Sequence, residues 1–480
     1  MHLHHIHIHH SRRRGFELDM LNGPVMPKLL TFAVPLILSS VLQLTFNAAD
    51  VIVVGKFEGD AALAAVGAPG SLINLLVNLF LGLSVGANVV VARYYGSGDF
   101  KQTSDGVHTS MLLSVLSGVA VGFVGFLLAG TFLSWMNTPD EVLPLATAYM
   151  RIYFLGMPAN MIYNFGAAIL RAIGDTRRPL MYLTVAGVVN VILNIVFVAA
   201  FGMGVSGVAW ATITAQIISA ILVVLCLIRT EGSIHLDITK LRLDLGKVWE
   251  IAKIGLPAGL QGICFSISNV IIQSTVNGFG TIVTAGNTAA SNIEGYIYVS
   301  MNAIYQAAIT FTSQNVGAHR YDRISRVTRA ALMAVTGIGL GLGMILLLFM
   351  RVFFHIYTDD PAVIEAAAMR SSIIAPTYFL CGTMDTMVGV LRGMGASVIP
   401  MIVSVAGICV LRLAWIAFIY PFNPTLTMLY LSYPISWLIT FTVHLICYFR
   451  VKRRKYGVGL EMRERATGNR EQATGNRNSG

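Results

Sequence analysis

The sequence predicts an all-α, polytopic membrane protein. The chain has 480 residues, of which 55% are hydrophobic and only 12% are charged, about half the charged fraction of an ordinary soluble domain. Apolar runs of about 20 residues, long enough to cross the hydrocarbon core of a bilayer, recur along nearly the whole chain. A surface this apolar must face lipid, so a soluble globular protein is excluded.

Polar breaks divide the apolar runs into twelve predicted transmembrane helices. In chain order they cover residues 27–54, 61–95, 106–133, 142–171, 179–201, 206–229, 248–277, 282–315, 325–351, 363–392, 398–420 and 426–450. Several exceed the minimal length of a span, which predicts tilted helices or ends that project beyond the lipid.

The same breaks define the predicted domains. A disordered extension rich in His and Arg occupies residues 1–20, and a disordered polar tail occupies residues 455–480. The first lobe spans residues 21–229 and the second spans residues 248–454, with six helices each. A flexible polar connector at residues 230–247 joins them.

The basic residues predict the orientation. Most of the 33 Lys and Arg lie in alternate connections or in the tails, whereas the other connections contain one lysine, Lys56. By the positive-inside rule, both termini and the connector are cytoplasmic, as in a multi-pass protein of the plasma (inner) membrane. This pattern accounts for the net charge of +10 without a nucleic-acid partner.

Two pairs of matching motifs predict an internal repeat. FAVP at Phe32–Pro35 resembles IGLP at Ile254–Pro257, and ILRAIGDTRRPL from Ile169 resembles VLRGMGASVIPM from Val390. With six helices in each half, the repeats are parallel and related by an axis along the membrane normal, with a substrate site between them near mid-membrane. Two rigid bundles joined by a connector suit transport by rocking better than a channel.

One carboxylate lies inside the first apolar run, in LQLTFNAADVIVVG. Gln43, Asn47 and Asp50 are spaced i, i+4 and i+7, so they share one face of a helix. An ionisable group at bilayer depth is costly unless it is paired or hydrated, and it is a functional hypothesis by default. We therefore expect Asp50 to face the bundle interior and to bind H+ or Na+.

Asparagine pairs recur on two neighbouring helices of the first half. Asn74 and Asn78 lie on the second helix, and Asn190 and Asn194 lie on the fifth, each pair at i, i+4. With Asp50 they predict an interior lined by amides. The alternative is that these amides join helices by interhelical hydrogen bonds.

The second half is predicted to contribute most of the substrate site. The eighth helix carries its longest polar stripe, and Gln273 takes the repeat position of Asp50. The predicted substrate-binding residues of both halves are Gln43, Asn74, Asn78, Gln273, Glu294, Tyr298, Tyr305 and Asp385. Glu294, Asp385 and Arg412 are expected to form an ion-pair network, or Arg412 neutralises one acid structurally.

Other chemistries find little support in the sequence. The five cysteines lie in apolar segments without paired spacing, and no Walker or dinucleotide motif follows the glycines. No cofactor is therefore expected beyond the coupling ion. His355 and His444 lie far apart in sequence, each at a predicted helix end, so an intramembrane enzyme is a remote alternative.

Three segments resemble the multidrug and toxic compound extrusion (MATE) transporters of the MOP flippase superfamily: VPLILSSVLQLTFNAADVIVVGKFEGDAALAAVG, ILRAIGDTRRP and VLRGMGASVIP. The resemblance runs from about Leu21 to Arg454. It implies two six-helix lobes around a V-shaped cavity. It also implies rocker-switch export of organic cations and other amphipathic compounds in exchange for H+ or Na+.

Some site residues are implied by position in the resemblance. Asp50 resembles the helix 1 aspartate associated with cation coupling, and Asn190 an asparagine that accompanies it. Asn194 stands where one branch has a second aspartate, and Phe265 where another has a glutamate. These departures leave the coupling ion open, with H+ preferred.

A lipid-linked precursor flippase of the same superfamily is the alternative function. Flippases tend towards a basic cavity, whereas Asp50, Glu294 and Asp385 outnumber Arg412 inside the predicted membrane region. The expected acidic balance favours cationic substrates. One chain supplies both lobes, so a monomer is expected.

Overall fold

The computed structural model describes residues 16–58, 62, 65–66, 70–136 and 138–475, without the side chains of residues 71, 72, 74, 75 and 457–475. All regular secondary structure in this part of the chain is helical, as predicted. The His-rich start before residue 16, the first turns of the second predicted helix and the side chain of Asn74 lie outside the described residues.

The first lobe contains seven named helices among the described residues. They are α1 (Val25–Glu58), α2 (Gly70–Ser97), α3 (Phe100–Trp135), α4 (Leu143–Leu155), α5 (Met157–Ala172), α6 (Arg177–Asn194) and α7 (Gly204–Arg229). α4 and α5 together form the fourth predicted helix, interrupted at Gly156 just before Pro158. α6 continues as a π-helical segment at Ile195–Ala200.

The second lobe repeats this order with more interruptions. Its helices are α8 (Leu245–Asn277), α9 (Thr281–Gly317), α10 (Tyr321–His355), α11 (Pro361–Ile374), α12 (Phe379–Gly393), α13 (Val398–Ser404), α14 (Leu411–Ala414) and α15 (Leu426–Gly475). α11 and α12 form one predicted helix that bends by 46°. π-Helical segments at Val405–Val410 and Trp415–Ile419 flank the single turn of α14.

The described helices support fewer independent spans than the twelve predicted. Nine are long and apolar enough to cross a membrane, or ten when α11 and α12 are counted as one bent span. The fourth predicted span falls short because its two pieces have 13 and 16 residues. α9 has 37 residues but is too polar, because it carries the predicted polar stripe.

The connector and the tail differ from the sequence predictions. Ile234 and Leu236 of the connector are buried, and the backbone N–H of Asp237 donates to His108 Nε2 of α3 at 3.1 Å. Arg242 also pairs with Asp105 of α3 at 2.6 Å. The connector is therefore packed against the first lobe and is not a free tether.

The tail expected to be disordered from residue 455 continues α15 as helix to Gly475. Its sequence offers a physical reason: Glu, Arg, Gln and Ala are good helix formers, and the segment contains no proline.

Glycines allow the two lobes to pack closely. A Cβ at Gly82 of α2 would collide with the backbone of Gly255 and Gly259 in α8, and a Cβ at Gly86 would collide with Ile251. These contacts continue towards Ser97, the end of α2 that adjoins a basic loop. The lobes are therefore packed together at the end of the membrane region where the basic loops lie.

Residues 16–24, here called the N-terminal strap, touch both lobes at this same end. Gly174 of the first lobe, with φ of 94°, lies so close to the strap that a Cβ would be 2.8 Å from the backbone N of Leu18. Asn315 Nδ2 at the end of α9 donates to the carbonyl of Met20 at 3.3 Å, and Arg320 donates to that of Leu21 at 2.9 Å. The strap thus bridges the two lobes.

Candidate functional site

Asp50 lies against the fifth predicted helix through what we call the acid–amide cluster, formed by Asp50, Asn190, Asn194 and Thr212. Asn194 Nδ2 donates to Asp50 Oδ1 and also lies 3.3 Å from Asn190 Oδ1. Asn190 Nδ2 donates in turn to Thr212 Oγ1 of α7 at 3.5 Å. The cluster therefore joins α1, α6 and α7.

A glycine allows α6 to approach α1 near this cluster. Gly187 lies against the ring of Phe46, and a Cβ at this position would overlap that ring. Gly187 precedes Asn190 by almost one turn, as Phe46 precedes Asp50. The close approach therefore brings the amides of α6 within reach of the carboxylate.

The cluster is shielded and contains an unsatisfied oxygen. Asn194 is fully buried and Asp50 is half-buried. Among the described residues, Asp50 has no ion pair, and Asn194 Oδ1 has no hydrogen-bond partner. Tyr149 and Tyr153 interact electrostatically with Asp50. The site offers oxygens of a carboxylate and an amide to H+ or a small cation.

The other predicted polar residues of the first lobe lie apart from the cluster. Gln43 and Asn47 share a helical face with Asp50 by spacing, but both are exposed. Asn78 Nδ2 lies 3.5 Å from Ser266 Oγ of α8. This contact has the geometry of the interhelical hydrogen bond considered as the alternative for these amides.

A cavity of about 410 Å³ lies within the second lobe. It brings together most of the polar residues predicted there; those that line it are Asn269, Gln273, Asn287, Ser291, Glu294, Tyr298, Asp385 and Arg412. Tyr305 is not among its lining residues. The sequence therefore predicted the wall of this cavity well, but not the pairing of its charges.

Arg370 is the basic partner of Glu294 and was not predicted from the sequence. Arg370 donates to Glu294 Oε2 from Nη2 at 2.8 Å and from Nε at 3.2 Å. Its Nη1 donates to Asn287 Oδ1 at 2.7 Å, and Asn287 Nδ2 donates to Gln273 Oε1 at 2.7 Å. An arginine within the tenth predicted helix, 363–392, was the available signal.

Arg412 does not form the predicted ion-pair network. Its Nε donates to Ser436 Oγ at 2.8 Å, and its guanidinium lies over the rings of Tyr433 at 4.2 Å and Trp437 at 5.5 Å. Among the described residues, it has no carboxylate partner. The prediction was wrong because helix spacing does not reveal which neighbouring helix presents an acid.

Asp385 and Tyr305 both lie near Arg392 of α12, inside the second lobe. Asp385 interacts electrostatically with Tyr298 and with Arg392. Arg392 donates to the hydroxyl of Tyr305 and, from Nη2, to Gln261 Oε1 at 2.8 Å. Arg392 therefore binds side chains inside the lobe.

One known protein family matches this chain in both lobes. The sequence model of the MatE family matches residues 35–196 in the first lobe and residues 257–418 in the second. The chain belongs to the MatE family. It is therefore a multi-pass membrane transporter of the MATE fold, and the intramembrane enzyme is excluded.

Relatives of this MATE transporter cover most of its length. The probable multidrug resistance protein YpnP of Bacillus subtilis (strain 168) is 27% identical over 411 residues, which are 84% of this chain and 89% of YpnP. A protein named FAD transporter from Shewanella oneidensis is 24% identical over 75% of this chain and 80% of its own length.

A solved MOP superfamily transporter from Pyrococcus furiosus Vc1 shares the fold of this chain. The two superpose with a TM-score of 0.85 at 21% identity, over 91% of this chain and 98% of the other.

The charge balance of this MATE transporter differs from the one expected. In the second lobe, Arg370, Arg392 and Arg412 are all buried, against the two acids Glu294 and Asp385. The expectation of an acidic interior was wrong because Arg370 and Arg392 were not counted as interior residues. The two lobes thus differ in character: within the described residues, the first holds Asp50 without an ion pair, whereas the second buries three guanidinium groups beside two acids.

Proposed function

We propose that this protein is a secondary antiporter that exports organic cations and other amphipathic drugs in exchange for H+, with Na+ as the alternative coupling ion. The observation that carries the proposal is Asp50, a carboxylate in a membrane span that has no ion pair among the described residues and is held by Asn194. Ionisable side chains in such positions mark ion pathways.

Asn194 can serve both charge states of Asp50. Its Nδ2 donates to the carboxylate, and after rotation of the amide its Oδ1 can accept a hydrogen bond from the protonated acid. The Asp50 carboxylate and the Asn194 amide are sufficient to bind and release a proton, whereas Na+ requires several oxygen ligands at once. The small number of ligands in the cluster therefore supports H+ as the coupling ion.

The packing of the lobes supports an alternating-access cycle. With the basic loops and both termini assigned to the cytoplasm, the packed end is the cytoplasmic one. In this conformation Asp50 takes up H+ from outside and drug is released there. Rocking then separates the cytoplasmic halves, so that Asp50 releases H+ inside and the next drug molecule binds.

The location and assembly follow from the same cycle. We place the transporter in the plasma membrane, where an inward H+ gradient is available. It acts there as a monomer, since one chain supplies both lobes.

A lipid-linked precursor flippase is the second candidate. Buried Arg370, Arg392 and Arg412 favour it, because guanidinium groups bind phosphate oxygens in a bidentate manner. One relative is named FAD transporter, and FAD carries phosphates. The antiporter is preferred because a flippase gives the lone carboxylate of Asp50 no task.

The test is transport by the purified full chain in proteoliposomes. Ethidium efflux is followed by fluorescence under an imposed pH gradient and, separately, under an Na+ gradient, with protein-free liposomes as the blank. We expect the pH gradient to accelerate efflux and the Na+ gradient to leave it unchanged. The reverse result assigns Na+, and no response to either gradient overturns antiport. Translocation of a fluorescent polyprenyl phosphate without ethidium efflux would establish the flippase instead.

A further inference from the structure

Another pocket, of about 680 Å³, lies at the end of the second lobe where the basic loops are found. It is formed by the start of α13, the loop before it at residues 395–397, the end of α15 and one residue of α8. Among the described residues that line it, none is acidic and four are basic: Lys253, Arg450, Arg454 and Lys455. We call this site the basic pocket.

The positive charges of the basic pocket lie close to one another and to a cation of the first lobe. Lys455 Nζ donates to the carbonyl of Gly395 at 3.3 Å, and no described carboxylate pairs with it. Lys455 also interacts with the like charges of Lys253 and of Arg93 on α2. An anion bound in the pocket would therefore relieve repulsion between cations of both lobes.

The internal repeat places a counterpart of the basic pocket in the first lobe. The repeated motifs continue in register, so that Cys226 corresponds to Cys447 and Arg229 to Arg450. Cys226 and Arg229 line a pocket of about 340 Å³ at the end of α7, as Cys447 and Arg450 line the basic pocket on α15. Each lobe therefore has a pocket at the same place in its fold.

The first-lobe pocket is neutralised by an acid of the protein itself. Asp175 is fully buried and forms an ion pair with Arg178, which lines that pocket. In the register of the repeat, Ala396 stands in place of Asp175, and Ile399 in place of Arg178. Both replacements line the basic pocket, which has twice the volume of its counterpart. The second lobe thus has the larger space and lacks the acid.

The basic pocket adjoins an exposed apolar surface. Val398 and Ile399 line the pocket and are 46% and 41% exposed. About one turn further into the membrane region, Ile402 of α13 and Ile446 of α15 are 56% and 47% exposed. Basic pockets between helices at the cytoplasmic side of a membrane protein bind lipid headgroups. Positive charge beside an apolar surface matches a phospholipid, whose phosphate adjoins its acyl chains, better than a soluble anion.

We propose that the basic pocket binds the headgroup of an anionic phospholipid from the cytoplasmic leaflet. Arg450 and Arg454, one turn apart on α15, hold the phosphate, since guanidinium groups bind phosphate oxygens in a bidentate manner. The acyl chains lie along the exposed apolar surface of α13 and α15. The phosphate supplies the negative charge that Asp175 supplies in the first lobe. Binding needs neither a drug nor an ion gradient, so it can be tested whether or not antiport is observed.

The test is native mass spectrometry of the purified full chain in detergent, titrated with dioleoyl phosphatidylglycerol or dioleoyl phosphatidylcholine. The two lipids share their acyl chains and differ in the net charge of the headgroup. We expect the first phosphatidylglycerol molecule to bind at least tenfold more tightly than phosphatidylcholine. Equal affinities would overturn the proposal without any variant.

Two double variants of equal charge then locate the site. Arg450→Gln combined with Arg454→Gln should reduce the affinity for phosphatidylglycerol to that for phosphatidylcholine. The control combines Arg229→Gln in the first-lobe pocket with Arg453→Gln, at an exposed residue of α15 that does not line the basic pocket. It should bind phosphatidylglycerol as the unmodified protein does. Unchanged binding in the first double variant rejects the site, and equal losses in both would show attraction by net charge alone.

A variant of Ala396 tests the missing acid. Ala396→Asp gives the basic pocket a carboxylate at the position that Asp175 occupies in the first lobe, so the affinity for phosphatidylglycerol should fall at least tenfold. Ala396→Asn has the same size without the charge and should keep the preference for phosphatidylglycerol. Retained preference in folded Ala396→Asp contradicts the proposal. If this variant does not fold, the arginine variants decide, because they keep Ala396.

Competition with a soluble compound tests the source of the phosphate. sn-Glycerol 3-phosphate carries the phosphate of the lipid without its acyl chains. In large excess it should leave phosphatidylglycerol bound, because the apolar surface contributes to binding of the lipid. Displacement would overturn the assignment to lipid in favour of a soluble phosphate compound.

Discussion

Arg370 on α11 donates two hydrogen bonds to one carboxylate oxygen of Glu294 on α9, at 2.8 and 3.2 Å. Both side chains are almost completely buried, with 9% and 3% of their surfaces exposed. The pair joins two helices of the second lobe across the wall of its cavity. Removal of either side chain would leave the other charge unpaired in the interior of the lobe.

The first prediction concerns this pair. Glu294→Gln should destabilise the second lobe by about 3 kcal/mol, because breaking a buried ion pair leaves the partner unpaired. The midpoint of thermal denaturation in detergent should fall accordingly. The control is Glu365→Gln, whose partner Arg351 lies 3.4 Å away with both side chains 71% exposed. That exposed pair should contribute less than about 1 kcal/mol, and equal losses in the two variants would contradict the prediction.

The second prediction concerns Asp50. Asp50→Asn should abolish gradient-driven ethidium efflux while leaving folded protein in the membrane, because an amide neither binds nor releases H+. Asp359→Asn, at an exposed acid on a loop, makes the same chemical change and should retain full efflux. Retained efflux in Asp50→Asn would remove the carboxylate from the coupling mechanism.

The third prediction concerns the amide beside Asp50. Asn194→Ala removes both the donor to the carboxylate and the unpartnered Oδ1, so efflux at limiting H+ gradients should fall by about tenfold, the equivalent of 1.4 kcal/mol. Asn423→Ala, outside the cluster in an exposed turn, should leave efflux unchanged. Transport measured across a series of gradients distinguishes weaker ion binding from general damage, which would lower efflux at every gradient alike.

The fourth prediction concerns the packing of the two lobes. Gly82→Leu should lower the thermal denaturation midpoint and slow efflux, since even a Cβ at this position collides with the backbone of α8. Gly337→Leu on α10 is the matched control, because a Cβ there meets no neighbouring atom within 4 Å. Similar effects of the two variants would mean that close contact between α2 and α8 is not required.

The sequence was sufficient to predict the helices but not their internal breaks. Apolar runs place most of the described helices near their observed bounds, because burial in lipid is a property of local composition. α15 is an exception, since it continues past residue 450 to Gly475. The π-helical segments around Arg412 have no comparable signal in the sequence. The break at Gly156 had a signal in the following Pro158, which removes a backbone donor.

The site residues were predicted correctly where the spacing along a single helix determines which side chains face the interior. Asp50, Asn190 and Asn194 were each assigned to an interior face, and the structure brings them together. The partner of Glu294 was not predictable in this way. Arg370 and Arg412 both lie on helices near it, and only the relative rotation of those helices selects one of them.

The N-terminal strap limits how far apart the two lobes can move in the proposed transport cycle. Leu18 adjoins Gly174 of one lobe, and Met20 is bound by Asn315 of the other. Two residues of fully extended chain span about 7 Å, so these anchor points cannot separate further while both attachments hold. In that cycle, the lobes must detach the strap from one of its two anchor points before they can separate widely enough to admit a drug molecule. The strength of the weaker of the two attachments therefore contributes to the free-energy barrier to opening.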